Sequence, residues 1–306
     1  MSQLQPSQMA TLPSSPAEVP AGAEKSYSFT RDIARQFFRN RLALTGLILL
    51  LLLVLSAVLA HRIAPYDPNA VDLYSILQGP SAQHWLGTDE NGRDVFSRLL
   101  YAGRISLSVG ASAALVAVVV GSLLGSLSGY FGGWVDTVIM RFTDMMLSIP
   151  TFFLLLIVAA VFRPSATNIT IIIGLTAWMG TARLVRGEFM RLREIEFVEA
   201  AHAIGASDTR IITRHVLTNA VAPIIVAGTL IVGGAILTES GLSFLGLGVQ
   251  PPVSTWGNML SKSQAYIWTQ PMLTLYPGAM IFLTVLSINF VGDGLRDALD
   301  PRMKNL

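Results

Sequence analysis

Cysteine is absent from the 306-residue chain, which excludes disulfides, iron–sulfur clusters and thiolate metal sites without identifying a compartment. Charge is scarce as well: Asp, Glu, Lys and Arg make up 13% of residues, and the formal net charge is only +2. With so little excess positive charge, and no basic run interleaved with aromatics, the chain offers no footing for nucleic acid. The four histidines, His61, His84, His202 and His215, are scattered without ligand spacing, so no metal site is expected. No Gly-x-x-x-x-Gly-Lys-Ser/Thr run exists to cradle phosphate; Gly241, Gly246 and Gly248 lie in an apolar stretch without the necessary lysine. A membrane hydrolase is equally unsupported, because no nucleophile elbow or paired histidine and acid is visible. Neither a catalytic residue nor a bound cofactor is expected in this chain.

What the chain has in excess is apolar surface. Hydrophobic residues account for 52% of it and the mean hydropathy is +0.56, so a soluble domain of this composition would lack polar cover. The chain reads as an all-α integral membrane protein in a lipid bilayer.

Residues 1–28, rich in Pro, Ser, Ala and Gln and without apolar periodicity, are expected to be a disordered tail. Four arginines between Arg31 and Arg41, with Ile33, Phe37 and Phe38 interleaved, suggest a short amphipathic helix at the bilayer surface. The apolar run 42–60 is long enough to cross hydrocarbon, and the long polar segment before it marks an uncleaved span rather than an export signal. Further spans are expected at 106–128, 138–162, 169–185, 220–242 and 272–291, giving six. With the N-terminus inside, fifteen of the 21 Lys and Arg residues fall in cytoplasmic segments, so the positive-inside rule puts both termini in the cytoplasm. The chain divides into the tail, an N-terminal region 29–104 holding the first span and an external segment, and a core 105–306 containing a cytoplasmic loop at 187–217.

In the external segment, Val95, Phe96, Leu99 and Leu100 recur at helical spacing and predict a helix along the outer membrane surface. The preceding Gly87-Thr88-Asp89-Glu90-Asn91-Gly92-Arg93-Asp94 reads as a structural turn, because Gly92 comes too early for a calcium loop and position 100 is leucine. Gly121, Gly125 and Gly129 lie one above another on a helix face, fitting either an interface with a second membrane subunit or packing within the chain. Pro150 and Pro277 are candidate kinks. Two acids fall at membrane depth: Asp144 is expected to pair with Arg141 one turn away. Glu239 has no cation near it in sequence, and lining a water-filled pathway, bonding another helix or hydration near the outer surface all remain open for it.

The most telling segment is the charged insert 183–215. Its centre reads Phe197-Val198-Glu199-Ala200-Ala201-His202-Ala203-Ile204-Gly205-Ala206. Phe197, Ala201 and Ile204 would share a helical face among charges from Arg191, Arg193, Glu194 and Glu196. The two alanines keep the helix slim, and Gly205 allows a close approach or a terminal turn. Such an element is shaped to slot into a partner, although a plain solvated loop helix would share much of the pattern.

Glu199-Ala200-Ala201 with Gly205 resembles the Glu-Ala-Ala loop of membrane subunits in binding-protein-dependent ABC importers. Where that family ends the motif Ile-Leu-Pro, this chain has Val216-Leu217-Thr218, and Pro223 is expected to supply the helix break. Similarity to the dipeptide and oligopeptide permease branch extends over nearly everything beyond residue 30. Its carriers are Gly87-Thr88-Asp89, the run Gly129-Tyr130-Phe131-Gly132-Gly133-Trp134-Val135-Asp136, Leu242-Ser243-Phe244-Leu245-Gly246-Leu247-Gly248, Gln250-Pro251-Pro252 and Gly292-Asp293-Gly294-Leu295-Arg296-Asp297. Tyr101-Ala102-Gly103-Arg104 departs slightly, since the branch commonly places glycine before alanine.

The resemblance implies a type I ABC importer permease of the bacterial inner membrane, the C-type subunit of its branch. Its implied partners are a second homologous permease subunit, two ATP-binding subunits that carry ATP and Mg, an external substrate-binding protein and a peptide substrate. Glu199, Ala200, Ala201 and Gly205 would dock on an ATPase, and Glu239 is a pathway candidate. Dipeptides, longer peptides, glutathione and nickel are all carried by the branch, selected largely by the binding protein. The rival reading is a self-contained channel or secondary transporter using Glu239 and Asp144 as coupling-ion residues.

Overall fold

The structure is a computed structural model, which describes residues 29–299. The tail expected at 1–28 and the last seven residues lie outside the described residues. Helices make up most of the rest: α1 Phe29–Arg39, α2 Arg41–Val58, α3 Ala60–Ile63, α4 Val95–Phe131, α5 Gly133–Ser148, α6 Thr151–Val161, α7 Ala166–Arg193, α8 Glu196–Ala203, α9 Asp208–Arg210, α10 Leu217–Phe244, α11 Trp256–Ser263 and α12 Met272–Leu299. Five helical stretches are long and apolar enough to cross a membrane; the sixth span exists if the bent pair α5–α6 counts as one.

That pair corrects the expectation of one continuous third span. Its halves meet at 84°, with Ile149 extended and Pro150 capping α6. Proline has no N–H to donate and pushes the residue before it out of the helical region, so the backbone turns there. Pro223 does the opposite of what the sequence suggests: α10 runs through it, and a π-helical turn, Ile211–Val216, joins α9 to α10 upstream. Pro277 likewise lies inside a continuous α12.

No separate surface helix forms at Val95. Val95, Leu99 and Leu100 are buried in the first turns of α4, where Val95 and Leu99 pack with Trp256, Met259 and Ile281 of α11 and α12. At 1.5 Å per residue, the 37 residues of α4 extend for about 55 Å, well beyond the roughly 30 Å of hydrocarbon. The projecting end carries residues 64–94. Asp94 caps α4 by accepting from the Ser97 N–H at 2.8 Å, while Asp89 holds Arg93 at 2.8 Å and Arg98 at 3.2 Å. The Arg98 guanidinium also donates to the Pro68 carbonyl at 3.0 Å. Asp89, a carboxylate at the expected turn, is thus committed to arginines.

The glycine stripe of α4 packs within the chain. A Cβ on Gly121 would stand 2.7 Å from the Trp178 carbonyl, one on Gly125 2.5 Å from the Ala182 carbonyl, and one on Gly129 2.6 Å from the Arg186 carbonyl. The order of these contacts makes α4 and α7 parallel neighbours with backbones in close approach, the arrangement that small residues permit in lipid. Two pairs to α7 reinforce it. Arg186 of α7 grips Asp136 of α5 bidentately at 2.5 and 2.7 Å, and Ser128 of α4 donates to the same carboxylate. Asp144 pairs with Arg183 of α7 at 2.5 Å, not with Arg141; both partners are half exposed, so this pair contributes at most about 1 kcal/mol.

Helix α1 meets the end of α12 instead of only lying on the bilayer. Ile33 and Phe37 pack with Ala43, Leu295 and Ala298, and Gln36 donates to the Asp297 carbonyl at 3.1 Å, while Phe38 stays exposed. One face of the bundle therefore gathers α1, the end of α12 and the α7–α10 connection. The other carries 64–94 and α11.

Replacing Gly125 by Leu forces α4 from α7, and overpacking of this kind costs about 1–3 kcal/mol or more. The expected result is a clear loss of thermal stability for the detergent-solubilised protein. Leucine at Leu123, an exposed neighbour, is already tolerated, so Leu123→Ala is the control and should leave the melting temperature nearly unchanged.

Candidate docking site

Helix α8 is eight residues long, entered through an extended Ile195. Its buried stripe is Val198 and Ala201, three residues apart and seated on Val185, Phe189, Leu192, Ile211 and Val216. Burying a valine side chain completely is worth about 2 kcal/mol, a strong anchor for so short a helix. Ala201 does not share a face with Phe197 and Ile204 as the spacing suggested. Phe197 is 38% and Ile204 86% exposed, because Val198 takes the inward position and Ile204 sits at the C-cap, where the helix unwinds.

The outward side therefore presents Phe197, Glu199, Ala200, Ala203 and Ile204. Glu199 makes no side-chain hydrogen bond or ion pair among the described residues. The helix ends in a Schellman turn: Gly205 has φ +81°, its N–H donates to the His202 carbonyl at 2.9 Å, and the Ala206 N–H reaches the Ala201 carbonyl at 3.0 Å. A side chain on a residue in this left-handed conformation costs about 1–2 kcal/mol. A Cβ on Gly205 would meet nothing within 4 Å, so the requirement for glycine lies in the backbone.

A polar lock fastens this element to the spans. Tyr130, at the end of α4, donates its hydroxyl to Asp208 at 2.7 Å and stacks on the His202 ring with centroids 6.4 Å apart. Arg193, at the end of α7, donates to the Tyr130 carbonyl at 2.9 Å. Sequence reasoning placed Tyr130 in a familiar run but gave it and Asp208 no role. Their partnership spans 78 residues, and no local spacing encodes it. The π turn after α9 begins and ends on buried Ile211 and Val216, placing an irregular turn, of the kind frequent at functional sites, between α8 and the span α10.

Glu239 lies elsewhere, near the far end of α10. It is completely buried, accepts from the Ser243 hydroxyl at 2.7 Å, and leaves its other oxygen without a partner among the described residues. Around that end the α11 start is tightly knit: Thr255 and Asn258 form a capping box, the Trp256 N–H donates to the Ser106 hydroxyl at 3.1 Å, and its indole donates to the Leu99 carbonyl at 3.0 Å. The structure thus joins Glu199, Ala200, Ala201 and Gly205 in one element and sets Glu239 apart from them. That element is a helix braced on one side and bare on the other.

The architecture is that of a multi-span helical membrane bundle with a short helix braced between two spans. The model of the family described as binding-protein-dependent transport system inner membrane component matches residues 121–305, and that of the N-terminal TM domain of oligopeptide transport permease C matches residues 28–80. The chain belongs to the binding-protein-dependent transport system inner membrane component family: it is a multi-pass permease subunit of an ABC transport system, not an enzyme. Among curated relatives, the dipeptide transport system permease protein DppC of Alkalihalophilus pseudofirmus is 43% identical over 275 residues, covering 90% of each chain. The glutathione transport system permease protein GsiD of Escherichia coli is 44% identical over 271 residues, covering 88% of this chain and 89% of the relative. Among solved structures, the MetNI methionine ABC transporter in inward-facing conformations aligns with a TM-score of 0.54 at 17% identity, over 66% of this chain and 96% of that one, a likeness of fold.

Tyr130→Phe removes one hydrogen bond to a carboxylate, an interaction of about 1.5–3 kcal/mol. Amide hydrogen exchange across 196–206 should accelerate about tenfold to a hundredfold in this variant while the spans keep their protection. Unchanged exchange would show that the lock does not hold the helix.

Proposed function

We propose that this chain forms half of the translocation pathway of an ATP-driven importer of small peptides, and that α8 docks into a cleft on a cytoplasmic ATPase. The partners are a second homologous permease subunit, two ATP-binding subunits carrying ATP and Mg, and an external substrate-binding protein. Both termini and α8 face the cytoplasm, the side to which most of the arginines and lysines are assigned. The peptide class is suggested by relatives named for dipeptide and glutathione transport.

The observation that carries the docking role is the division of α8 into a buried stripe and a bare outer face. Phe197 and Ile204 are apolar, exposed and flank an unpaired Glu199, as a surface completed by another protein would be. Through Tyr130, Asp208 and Arg193 the helix is tied to α4 and α7, so movement of the ATPase reaches the spans. Nucleotide shifts the equilibrium between inward-open and outward-open states only by its different affinity for the two, and a loose linker would dissipate that difference.

Two substitutions test this. Glu199→Arg reverses charge on the outer face, and Gly205→Val strains the terminal turn at a position where the added Cβ meets nothing within 4 Å. Each should lower nucleotide-dependent uptake more than tenfold and reduce the ATPase that copurifies, with the permease still present at normal level in the membrane. Normal uptake with full ATPase stoichiometry in both variants would sink the assignment.

A further inference from the structure

A trough of about 510 Å³ runs between α2, α4, α10 and α12. Its walls are Leu50, Val54, Leu107, Val232, Ile288 and Val291, and the cation at its end is Arg104. Arg104 is exposed and forms no ion pair among the described residues; its guanidinium lies 5.7 Å from the Tyr101 ring centroid. The same arginine borders a second cavity of about 420 Å³, lined also by Asn69, Tyr101 and Ser254. The Ser254 hydroxyl is buried there without a hydrogen-bond partner among the described residues. Guanidinium, amide and two hydroxyls thus gather around Arg104, while the rest of the trough is mostly hydrocarbon, its Ser108 and Thr229 hydroxyls being bonded to carbonyls of their own helices.

Depth decides what fits. Ser128 of α4, bonded to Asp136 beside Arg186, marks the polar boundary on the docking side. About 20 helical residues cross the hydrocarbon, which brings α4 back to Ser108, and Arg104 lies one turn beyond it. Arg104 therefore stands at headgroup level in the leaflet remote from α8, with the trough descending beneath it into the hydrocarbon.

We propose that this is a phospholipid site: one acyl chain fills the trough and the phosphate is bound by Arg104, with Asn69, Tyr101 and Ser254 as additional donors. A free anion would leave the apolar trough empty, and an uncharged chain would leave the arginine unmatched. An arginine fork matches phosphate oxygens in both charge and geometry.

The test uses the assembled transporter purified with its partner subunits in mild detergent, with native mass spectrometry reading retained phospholipid. The wild-type complex should keep one phospholipid per copy of this chain through washing. Arg104→Gln should lower retention about tenfold and Arg104→Lys should restore part of it. Ala111→Phe, which fills the trough from its wall, should also expel the lipid while the complex elutes intact, so the test survives if Arg104→Gln fails to assemble. Equal retention in wild type and Arg104→Gln, or undiminished retention in Ala111→Phe, overturns the proposal. So does a photoreactive benzophenone side chain at Val58 that cross-links to the second permease subunit instead of to lipid.

Discussion

Helices in a bilayer gain little from burying apolar surface, because lipid tails are as apolar as leucine. Close backbone approach must supply the attraction, and here it is concentrated between α4 and α7. Three glycines four residues apart let α4 settle on the carbonyls of Trp178, Ala182 and Arg186 with no room for a β-carbon. Because the two helices run parallel, their ends emerge on the same face, and those ends carry Tyr130 and Arg193. The hydrogen bonds that seat α8 exist only because the glycine stripe brings the two helix ends together.

The same contact explains the charges nearby. Asp136 opens α5 directly after the turn at Gly132 and falls between Ser128 of α4 and Arg186 of α7. One carboxylate therefore fixes three helices where the bundle leaves the hydrocarbon. Water is less available there, and a bidentate guanidinium pair keeps its geometry better than an exposed one. The pair between Asp144 and Arg183, half exposed on both sides, has no such protection. It steers the bent α5–α6 pair against α7 without contributing much to stability.

Most of the spans were legible because hydrocarbon thickness imposes a length on apolar runs and needs no knowledge of partners. The glycine stripe was legible too, but not which helix it meets, since a missing side chain says nothing about its neighbour. Periodicity misled at Val95, where apolar spacing reports a buried face whether the burial is in lipid or against α11 and α12. It misled again in α8: with only eight residues, two adjacent stripes satisfy the same spacing, and Val198, which lies one residue from the expected face, packs inward. Proline chemistry was read correctly in kind but not in outcome. Pro150 follows an extended residue and breaks the chain, whereas Pro223 and Pro277 sit inside helices that continue through them. The lock of Tyr130 and Asp208 was beyond reach, because it joins the end of α4 to the start of α9, far apart in sequence.

The division of labour within the 187–217 loop follows from these constraints. In the docking role proposed for α8, a helix that couples two proteins must be held firmly by one and left incomplete toward the other. Firm holding needs buried area, and α8 obtains it from only two side chains by resting them on the end of α7 and the π turn Ile211–Val216. Incompleteness needs exposed apolar surface, which is tolerable on a monomer only where it is small; Phe197 and Ile204 at the two ends of the helix keep that surface narrow. Gly205 reconciles the two demands. By turning the chain immediately after Ile204, it lets the helix stop while still seated and returns Asp208 to Tyr130 within three residues. A longer helix would carry its tip away from the spans and lengthen the lever at the cost of its rigidity. A shorter one would lose Val198 or Ala201 and, with it, the seat. The length of α8 is thus set by the spacing of its buried stripe, and the outer surface offered to a partner is whatever that length leaves exposed.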